Sequence, residues 1–343
     1  MHHSVAENGG FFLLVLCIVG GVVSSQGNKL KMLDIPEIGS VAVLYEAQLI
    51  TGEGPFWKED EQVLHFVDIP GRSIFRHDPA TEITTKATYD EGVSISFVIP
   101  VAGQEGTFMI GMGQSVGTIE WDGQDGTALN FTPLTNVEEQ AGNRFNDGKC
   151  DRNGRLWTGT MGYFNENGQI SMNSSNLYRL DSDSLEVQVE YVTLSNGMAW
   201  SSDDKLFYYI DTWSLRVDVF DYDIDSATIS NRRTLFDLVE NGFEGSPDGM
   251  TIDVDGNLWV ALYNGNGVVK VNGVTGAPEG FIRLPVPKAT SCAWGGADLD
   301  VLYVSTAAEG ADLSEFPLSG SMFKVNGLST RGFPSVPVQI DIL

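Results

Sequence analysis

Cysteine is scarce in this chain, and its scarcity limits the kinds of fold that can be proposed. Only 3 Cys occur among 343 residues. Cys17 lies in an N-terminal apolar run, so Cys150 and Cys292 can form at most one bridge. A disulfide-stapled scaffold is therefore excluded, and we expect the latter two thiols to be buried and unpaired.

Histidine is almost as rare, with 4 residues in all. His2 and His3 precede the apolar run, and His65 and His77 lie in or beside strand-like stretches that offer no nucleophile. Neither a Ser-His-Asp triad nor a multi-His zinc site is predicted from this distribution. If the protein is an enzyme, carboxylates, with or without a metal ion, must carry out the chemistry.

Basic residues are also few. Lys and Arg together number 20 against 46 Asp and Glu, which gives a formal net charge of −26. Binding to nucleic-acid phosphates needs clustered positive charge, so we predict no nucleic-acid partner. The acidic surplus is typical of a soluble protein, and some of its carboxylates are candidates to hold a cation.

Long apolar runs are absent, and the one short run is N-terminal. Residues 11–23 are apolar and are followed by Ser24, Ser25 and Gln26, a pattern typical of a secretory signal peptide. We predict a cleaved signal over residues 1–25, secretion, and no membrane span in the mature chain. An uncleaved membrane anchor and a cytoplasmic location are the alternatives. Glycosylation sequons at Asn130 and Asn173 are consistent with secretion.

What the chain does contain is a repeat over residues 26–343. A polar turn followed by several short strand-like runs recurs at intervals of roughly 45 to 50 residues, as in the blades of a β-propeller. This spacing predicts a single all-β domain, a six-bladed β-propeller. A pair of β-sandwiches is the rival fold, but it would not place a polar turn at one point of every repeat. The units start near Gly54, Ser96, Asp147, Asn196, Asp248 and Cys292.

The polar turns bring oxygen ligands together if the fold is a propeller, because the innermost strands of all blades line one channel. Glu53, Asn146, Asn196 and Asp248 would then meet near the axis, and Arg144 would offer a cationic fork to a substrate oxygen. Carboxylate and amide oxygens suit Ca²⁺, Mg²⁺ or Mn²⁺ better than Zn²⁺. The alternative is that these side chains merely form turns beside glycine.

At these residues the chain resembles the SMP-30/gluconolactonase family. The similarity rests on segments that follow one another over nearly the whole chain after the apolar run, none of which is specific alone. They include Gly-Glu-Gly-Pro-Phe-Trp, Phe-Val-Asp-Ile-Pro, Asn-Arg-Phe-Asn-Asp-Gly-Lys, Gly-Thr-Met, Ser-Asn-Gly-Met-Ala-Trp, Pro-Asp-Gly-Met and Leu-Trp-Val-Ala.

The resemblance implies a six-bladed propeller with one divalent cation on its axis. Glu53, Asn196 and Asp248 would hold that cation, with Ca²⁺ expected and Mn²⁺, Mg²⁺ or Zn²⁺ as alternatives. Arg144 and Asn146 would contact the substrate, a small lactone. The implied activity is hydrolysis of sugar lactones such as gluconolactone, with Asp248 also acting as proton donor and acceptor. Asp147, Gly148 and Lys149 are expected to shape the turn.

One departure from the family pattern concerns the loop after Met161. Phe164 stands where regucalcin-like members carry a substrate-contacting Glu, and Glu166 is the candidate replacement. Two other functions therefore stay open. One is a non-catalytic calcium-binding protein of the regucalcin type, and the other is an enzyme of the luciferin-regenerating type that acts on a non-sugar substrate.

Overall fold

The computed structural model describes residues 35–339, apart from residues 91, 127, 128, 138 and 139. In chain order the first strands are β1 (Ser40–Tyr45), β2 (Gly52–Lys58), β3 (Val63–Asp68), β4 (Ser73–Asp78), β5 (Ile83–Thr88), β6 (Ile95–Pro100), β7 (Thr107–Met112), β8 (Ser115–Glu120), β9 (Thr132–Asn136), β10 (Arg144–Cys150), β11 (Leu156–Met161) and β12 (Ser175–Asp181). The remaining strands are β13 (Ser184–Val192), β14 (Ser195–Trp200), β15 (Leu206–Asp211), β16 (Arg216–Asp223), β17 (Thr228–Asp237), β18 (Ser246–Ile252), β19 (Asn257–Tyr263), β20 (Gly267–Asn272), β21 (Pro278–Arg283), β22 (Ala289–Gly295), β23 (Val301–Thr306) and β24 (Met322–Asn326). A short 3-10 helix, Thr212–Ser214, lies between β15 and β16.

These strands form six four-stranded antiparallel sheets, which are the blades of a propeller. Blades one to five are β2–β5, β6–β9, β10–β13, β14–β17 and β18–β21, each in simple meander order. Blade six combines β22, β23 and β24 with β1 as its outermost strand. The N-terminal strand thus completes the last blade and closes the ring. The predicted all-β six-bladed propeller is confirmed.

The hydrophobic core lies between neighbouring blades. Strand β3 is buried at all six positions, as expected for a strand covered on both faces. Between blades three and four, Trp157 packs edge-on against Trp200, with ring centroids 6.0 Å apart, and tilted against Phe207 at 5.1 Å. Such aromatic pairs bury large apolar areas. The blades therefore hold one another in place around the channel.

All six innermost strands carry a register shift in their first half. The shifts fall at Glu53/Phe56, Ile95/Val98, Phe145/Gly148, Ser195/Met198, Pro247/Met250 and Ala289/Ser291. A β-bulge re-aims the side chains beside it and bends the strand. Residues before and after each bulge therefore do not follow a simple alternation, and this shapes what faces the channel.

The predicted unit starts all lie on these innermost strands, but the turn conformation assigned to the site residues is wrong. Glu53, Asn196 and Asp248 lie within β2, β14 and β18 instead of in turns before them. The adjacent glycines have a packing role. A Cβ on Gly197 would come within 2.8 Å of the Asp248 carbonyl oxygen, and one on Gly249 within 2.1 Å of Ser291 Oγ. Glycine here lets innermost strands of neighbouring blades approach closely.

Residues 331–339 form a strap across the end of the propeller where the innermost strands finish. Its backbone bonds reach the β18–β19 loop at Val254, the β22–β23 loop at Leu299 and the β10–β11 loop at Gly154, over distances of 2.8–2.9 Å. Val338 also exchanges backbone hydrogen bonds with residues 100 and 102 of blade two. The strap therefore links four blades and covers this end of the channel.

The structure also shows the state of the rare cysteine and histidine residues. Cys150 and Cys292 are buried and free, as predicted. His65 is buried, and burial lowers its pKa to about 3, so it is a neutral core residue. In the part of the chain that is described, no helix is long and apolar enough to cross a membrane. The predicted signal peptide, the boundary at residue 26 and Cys17 lie outside the described residues.

Candidate metal centre and substrate cavity

A cavity of about 460 Å³ opens at the end of the channel where the innermost strands begin. Four of the six blades' innermost strands contribute polar side chains to its wall. The five site residues chosen from the sequence all line this one cavity, although they come from four different blades. They are Glu53, Arg144, Asn146, Asn196 and Asp248.

Asn196 differs from the other side chains in having a buried amide oxygen without a hydrogen-bond partner in the described part of the chain. It is 2% exposed, its Nδ2 donates to Thr212 Oγ1 at 3.0 Å, and Thr212 Oγ1 in turn donates to the Pro247 carbonyl at 2.9 Å. Its Oδ1 has no hydrogen-bond partner among the described residues. A buried amide oxygen without a partner is costly, and here the amide orientation is fixed so that this oxygen stays free.

Two buried carboxylates share the base of the cavity with Asn196. Burial raises the pKa of Glu53 well above its usual value, and repulsion from Asp248 and Asp147 raises it further. Burial likewise raises the pKa of Asp248, as does Asp147, while hydrogen bonds to Asn196 and the Gly249 backbone lower it. Bringing these negative charges together out of water is unfavourable unless a cation compensates them.

The donor set fits a hard divalent cation. No group of three or more His, Cys, Asp or Glu side chains is placed to hold a metal ion in residues 35–339 as described. A cation at the base of the cavity would therefore combine the Glu53 and Asp248 carboxylates with the amide oxygen of Asn196. Oxygen donors of this kind suit Ca²⁺, Mg²⁺ or Mn²⁺.

Arg144 and Asn146 form a linked pair on β10. One terminal nitrogen of Arg144 donates to the Phe145 carbonyl at 2.8 Å and to Asn146 Oδ1 at 3.0 Å. Asn146 Nδ2 donates to the Ser195 carbonyl of the next blade at 2.9 Å. Burial lowers the pKa of Arg144 to about 10, and the charges of Glu53 and Glu309 oppose this effect. Arg144 thus stays a cation whose remaining N–H groups are available to a ligand.

The outer wall of the cavity is aromatic. Tyr163 and Phe164, from the loop after β11, line it together with Trp213 of the 3-10 helix. Glu166 is exposed and does not line the cavity, so it does not replace the glutamate that Phe164 displaces. The chain therefore presents an apolar face where a polar contact was expected.

Three residues that shape the site were not selected from the sequence. Thr212 orients Asn196, and Glu309 lines the cavity from blade six. Asp147 was expected only to shape a turn, but it is a buried strand residue whose charge acts on Glu53 and Asp248. Asp147 does lie inside the matching segment Asn-Arg-Phe-Asn-Asp-Gly-Lys, which was a usable signal. Thr212 and Glu309 lie in connections with no repeat pattern.

Fold and site together define a six-bladed propeller with buried oxygen donors at the open end of its channel. The family described as SMP-30/Gluconolactonase/LRE-like region matches residues 51–308, and the chain belongs to this family. It is 39% identical to regucalcin of Bos taurus over 290 residues, covering 83% of this chain and 94% of that protein.

Two further similarities agree with this assignment. Regucalcin of Xenopus laevis is 38% identical over 290 residues, covering 82% of this chain and 92% of that protein. The solved structure of a luciferin-regenerating enzyme superposes with a TM-score of 0.82 at 35% identity, over 88% of this chain and 100% of the other. The resemblance noted in the sequence is therefore confirmed for the family and the fold.

Proposed function

We propose that this protein is a divalent-cation-dependent lactonase. The observation that carries the proposal is the free, buried Oδ1 of Asn196 beside the carboxylates of Glu53 and Asp248 at the base of an open cavity. The family's name includes gluconolactonases, which supports lactone hydrolysis as the reaction class.

In this proposal Glu53, Asn196 and Asp248 hold the cation. A bound divalent cation supplies the positive charge that polarises the lactone carbonyl and stabilises the charge developing on its oxygen. Asp248 accepts a proton from the attacking water and returns it to the ring oxygen as the carbon–oxygen bond breaks, which releases the hydroxy acid. Arg144 and the remaining hydrogen-bonding capacity of Asn146 orient substrate hydroxyl groups.

The direct test is turnover of δ-gluconolactone by cation-depleted protein that is then supplied with Ca²⁺, Mn²⁺, Mg²⁺ or Zn²⁺ in turn. We expect negligible turnover without a cation and restored turnover with at least one of them. Binding of a cation without hydrolysis of any member of a broad lactone panel would contradict the proposal. That outcome would instead support a non-catalytic calcium-binding protein of the regucalcin type.

A second candidate function is supported by the aromatic wall. Tyr163, Phe164 and Trp213 favour a substrate with an apolar or aromatic body, as an enzyme of the luciferin-regenerating type would use. The same cation-assisted hydrolysis would then act on a non-sugar ester or lactone.

The variant Phe164→Glu separates these two substrates. Restoring a carboxylate on this loop should raise kcat/KM for δ-gluconolactone and lower it for the aromatic lactone dihydrocoumarin. Opposite changes are expected because the glutamate bonds hydroxyl groups and is desolvated unfavourably by an aromatic ring. Glu166→Gln, at an exposed position of the same loop, is the matched control and should leave both values unchanged. Equal kinetics of Phe164→Glu and wild type on both substrates would show that this wall does not contact substrate.

A further inference from the structure

Glu309 lies in the connection that follows β23 of blade six and lines the cavity. It is the one carboxylate among the residues lining that cavity which belongs to neither the candidate cation site nor an innermost strand. Its position on the cavity wall makes it a candidate to bind a ligand there.

The backbone at Glu309 is anchored on both sides. Its N–H donates to the Ile50 carbonyl at 3.0 Å, and the preceding N–H, of Ala308, donates to the Leu49 carbonyl at 2.9 Å. Its own carbonyl oxygen accepts a hydrogen bond from the ammonium group of Lys288. The connection is therefore tied to the segment before β2, and the backbone that carries the carboxylate is held in place.

The carboxylate accepts few hydrogen bonds from the protein, although its charge also acts on Lys288. Glu309 Oε2 accepts a hydrogen bond from Thr51 Oγ1 at 3.4 Å. No salt bridge involves Glu309 in the part of the chain that is described. An ionised carboxylate has about four acceptor positions, so most of its capacity is left for a ligand.

Arg144 complements Glu309 within the same cavity. The negative charge of Glu309 acts on Arg144, where it opposes the loss of positive charge that burial favours. The described hydrogen bonds of Arg144 all come from one terminal nitrogen, which leaves its other N–H groups free to donate. The cavity wall therefore offers a ligand hydrogen-bond donors from Arg144 and acceptors from Glu309.

The wall formed by the loop after β11 offers no such carboxylate. Phe164 lines the cavity there, while Glu166 is exposed outside it. An acceptor for substrate hydroxyl groups, beside the donors of Arg144, must therefore come from another part of the cavity, and Glu309 lines it from blade six.

We propose that Glu309 is a specificity-determining residue that accepts hydrogen bonds from the hydroxyl groups of a polyhydroxylated lactone. This assignment builds on the proposed lactonase function, but it concerns binding of the polyol and not the chemical step. Glu309 favours ligands that carry hydroxyl donors and disfavours ligands that carry a carboxylate at the same place, because like charges repel.

The experiment compares wild type with Glu309→Ala, which removes the acceptor, and Glu309→Gln, which keeps the shape and the Thr51 contact but removes the charge. Glu166→Gln is the control. Two probes are used, δ-gluconolactone for turnover and its non-hydrolysable lactam analogue for binding by calorimetry in the presence of Ca²⁺. Thermal unfolding checks that each variant is folded.

We expect Glu309→Ala to raise KM for δ-gluconolactone and Kd for the lactam about tenfold, which is the loss expected for one hydrogen bond to a charged group. Glu309→Gln should give a smaller increase in both. The value of kcat and the affinity for Ca²⁺ should stay at wild-type levels. δ-Valerolactone, which lacks ring hydroxyls, should show no change in KM.

The proposal is overturned if lactam binding is the same in wild type and folded Glu309→Gln and Glu309→Ala, or if wild type does not bind the lactam. A lower kcat with unchanged KM would also overturn it, because Glu309 would then act in the chemical step. Lactam binding that depends on Glu309, in a protein that hydrolyses no lactone, would refute the lactonase proposal and leave this assignment standing.

Discussion

The two ends of the axial channel are built from the same innermost strands. They differ in whether their buried charged and polar groups are compensated by the protein itself. At the open end, Glu53 and Asp248 lie beside the unpartnered oxygen of Asn196, in a cavity of about 460 Å³. At the strapped end, a smaller cavity of about 140 Å³ is covered by Phe333 and its neighbours, and Asp147 and Lys149 there bond to the protein itself.

Lys149 shows how the strapped end compensates its charges. Its Nζ donates to the Met250 carbonyl at 2.6 Å, and burial lowers its pKa while the charge of Asp147 opposes that effect. Asp147 Oδ1 accepts the Gly148 backbone N–H at 2.7 Å. These groups have internal partners, so the strapped end is stable without a ligand, whereas the open end has unfilled ligand positions.

The β-bulge explains how one strand supplies both ends. On β10, Asn146 precedes Gly148 within the register shift and lines the open cavity, whereas Lys149 follows it and lines the strapped one. The open end is thus expected to govern function and the strapped end to govern stability. Substitutions at each end can test this division.

The largest effect is expected at the open end from Asp248→Asn, which keeps the shape and removes the carboxylate. Turnover of δ-gluconolactone at saturating cation should fall by at least about 10²-fold, because a positioned general acid–base contributes that much or more. Wild-type kcat in this variant would remove Asp248 from the mechanism. Asp255→Asn, at an exposed turn of the same blade, is the control and should retain full turnover.

A smaller effect is expected from Thr212→Val, because Thr212 contacts the proposed cation ligand Asn196 and not the cation itself. The change removes one of the two partners of the Asn196 amide, the other being Asp248, so Asn196 Oδ1 is held less firmly. Loss of such an orienting partner typically lowers metal affinity about 10- to 100-fold, and calorimetric titration with Ca²⁺ would measure it.

Ser214→Ala tests the same 3-10 helix without touching Asn196. The Ser214 hydroxyl has no hydrogen-bond partner among the described residues, so its loss should leave the Ca²⁺ affinity unchanged. Equal affinities of wild type and Thr212→Val would mean that Asn196 is not oriented through Thr212, and the contrast between the two channel ends would lose its main support.

The sequence predicted the blades well because each blade repeats one physical pattern. Every predicted unit start lies on an innermost strand. The five site residues line one cavity because those strands converge on one axis. Periodicity is thus sufficient where the structure itself is periodic.

The remaining parts of the site depend on features that do not repeat. Asp147 was misplaced in a turn because a β-bulge cannot be read from alternation of side chains. Thr212 and Glu309 lie in connections outside the β-strands, where position is decided by tertiary hydrogen bonds. The side chains that tune the site are therefore less predictable than those that form its base.

The smallest effect on function is expected at the strapped end, from Lys149→Met. This change keeps much of the side-chain volume but leaves the Met250 carbonyl without its donor, which should lower the free energy of unfolding by about 1–3 kcal/mol. Urea unfolding measures the loss, and kcat of the folded variant should equal that of wild type. Lys205→Met is the surface control, because Lys205 is exposed and its ion pair with Asp203 is long at 3.7 Å.

The Lys149→Met result decides whether the two ends act independently. Lys149 is linked to the open end through Asp147, whose charge acts on both Glu53 and Asp248. A fall in kcat or Ca²⁺ affinity with unchanged stability would show that the strapped end tunes the cation site through Asp147. Loss of stability alone would confirm that the bulge separates a functional end of the channel from a structural one.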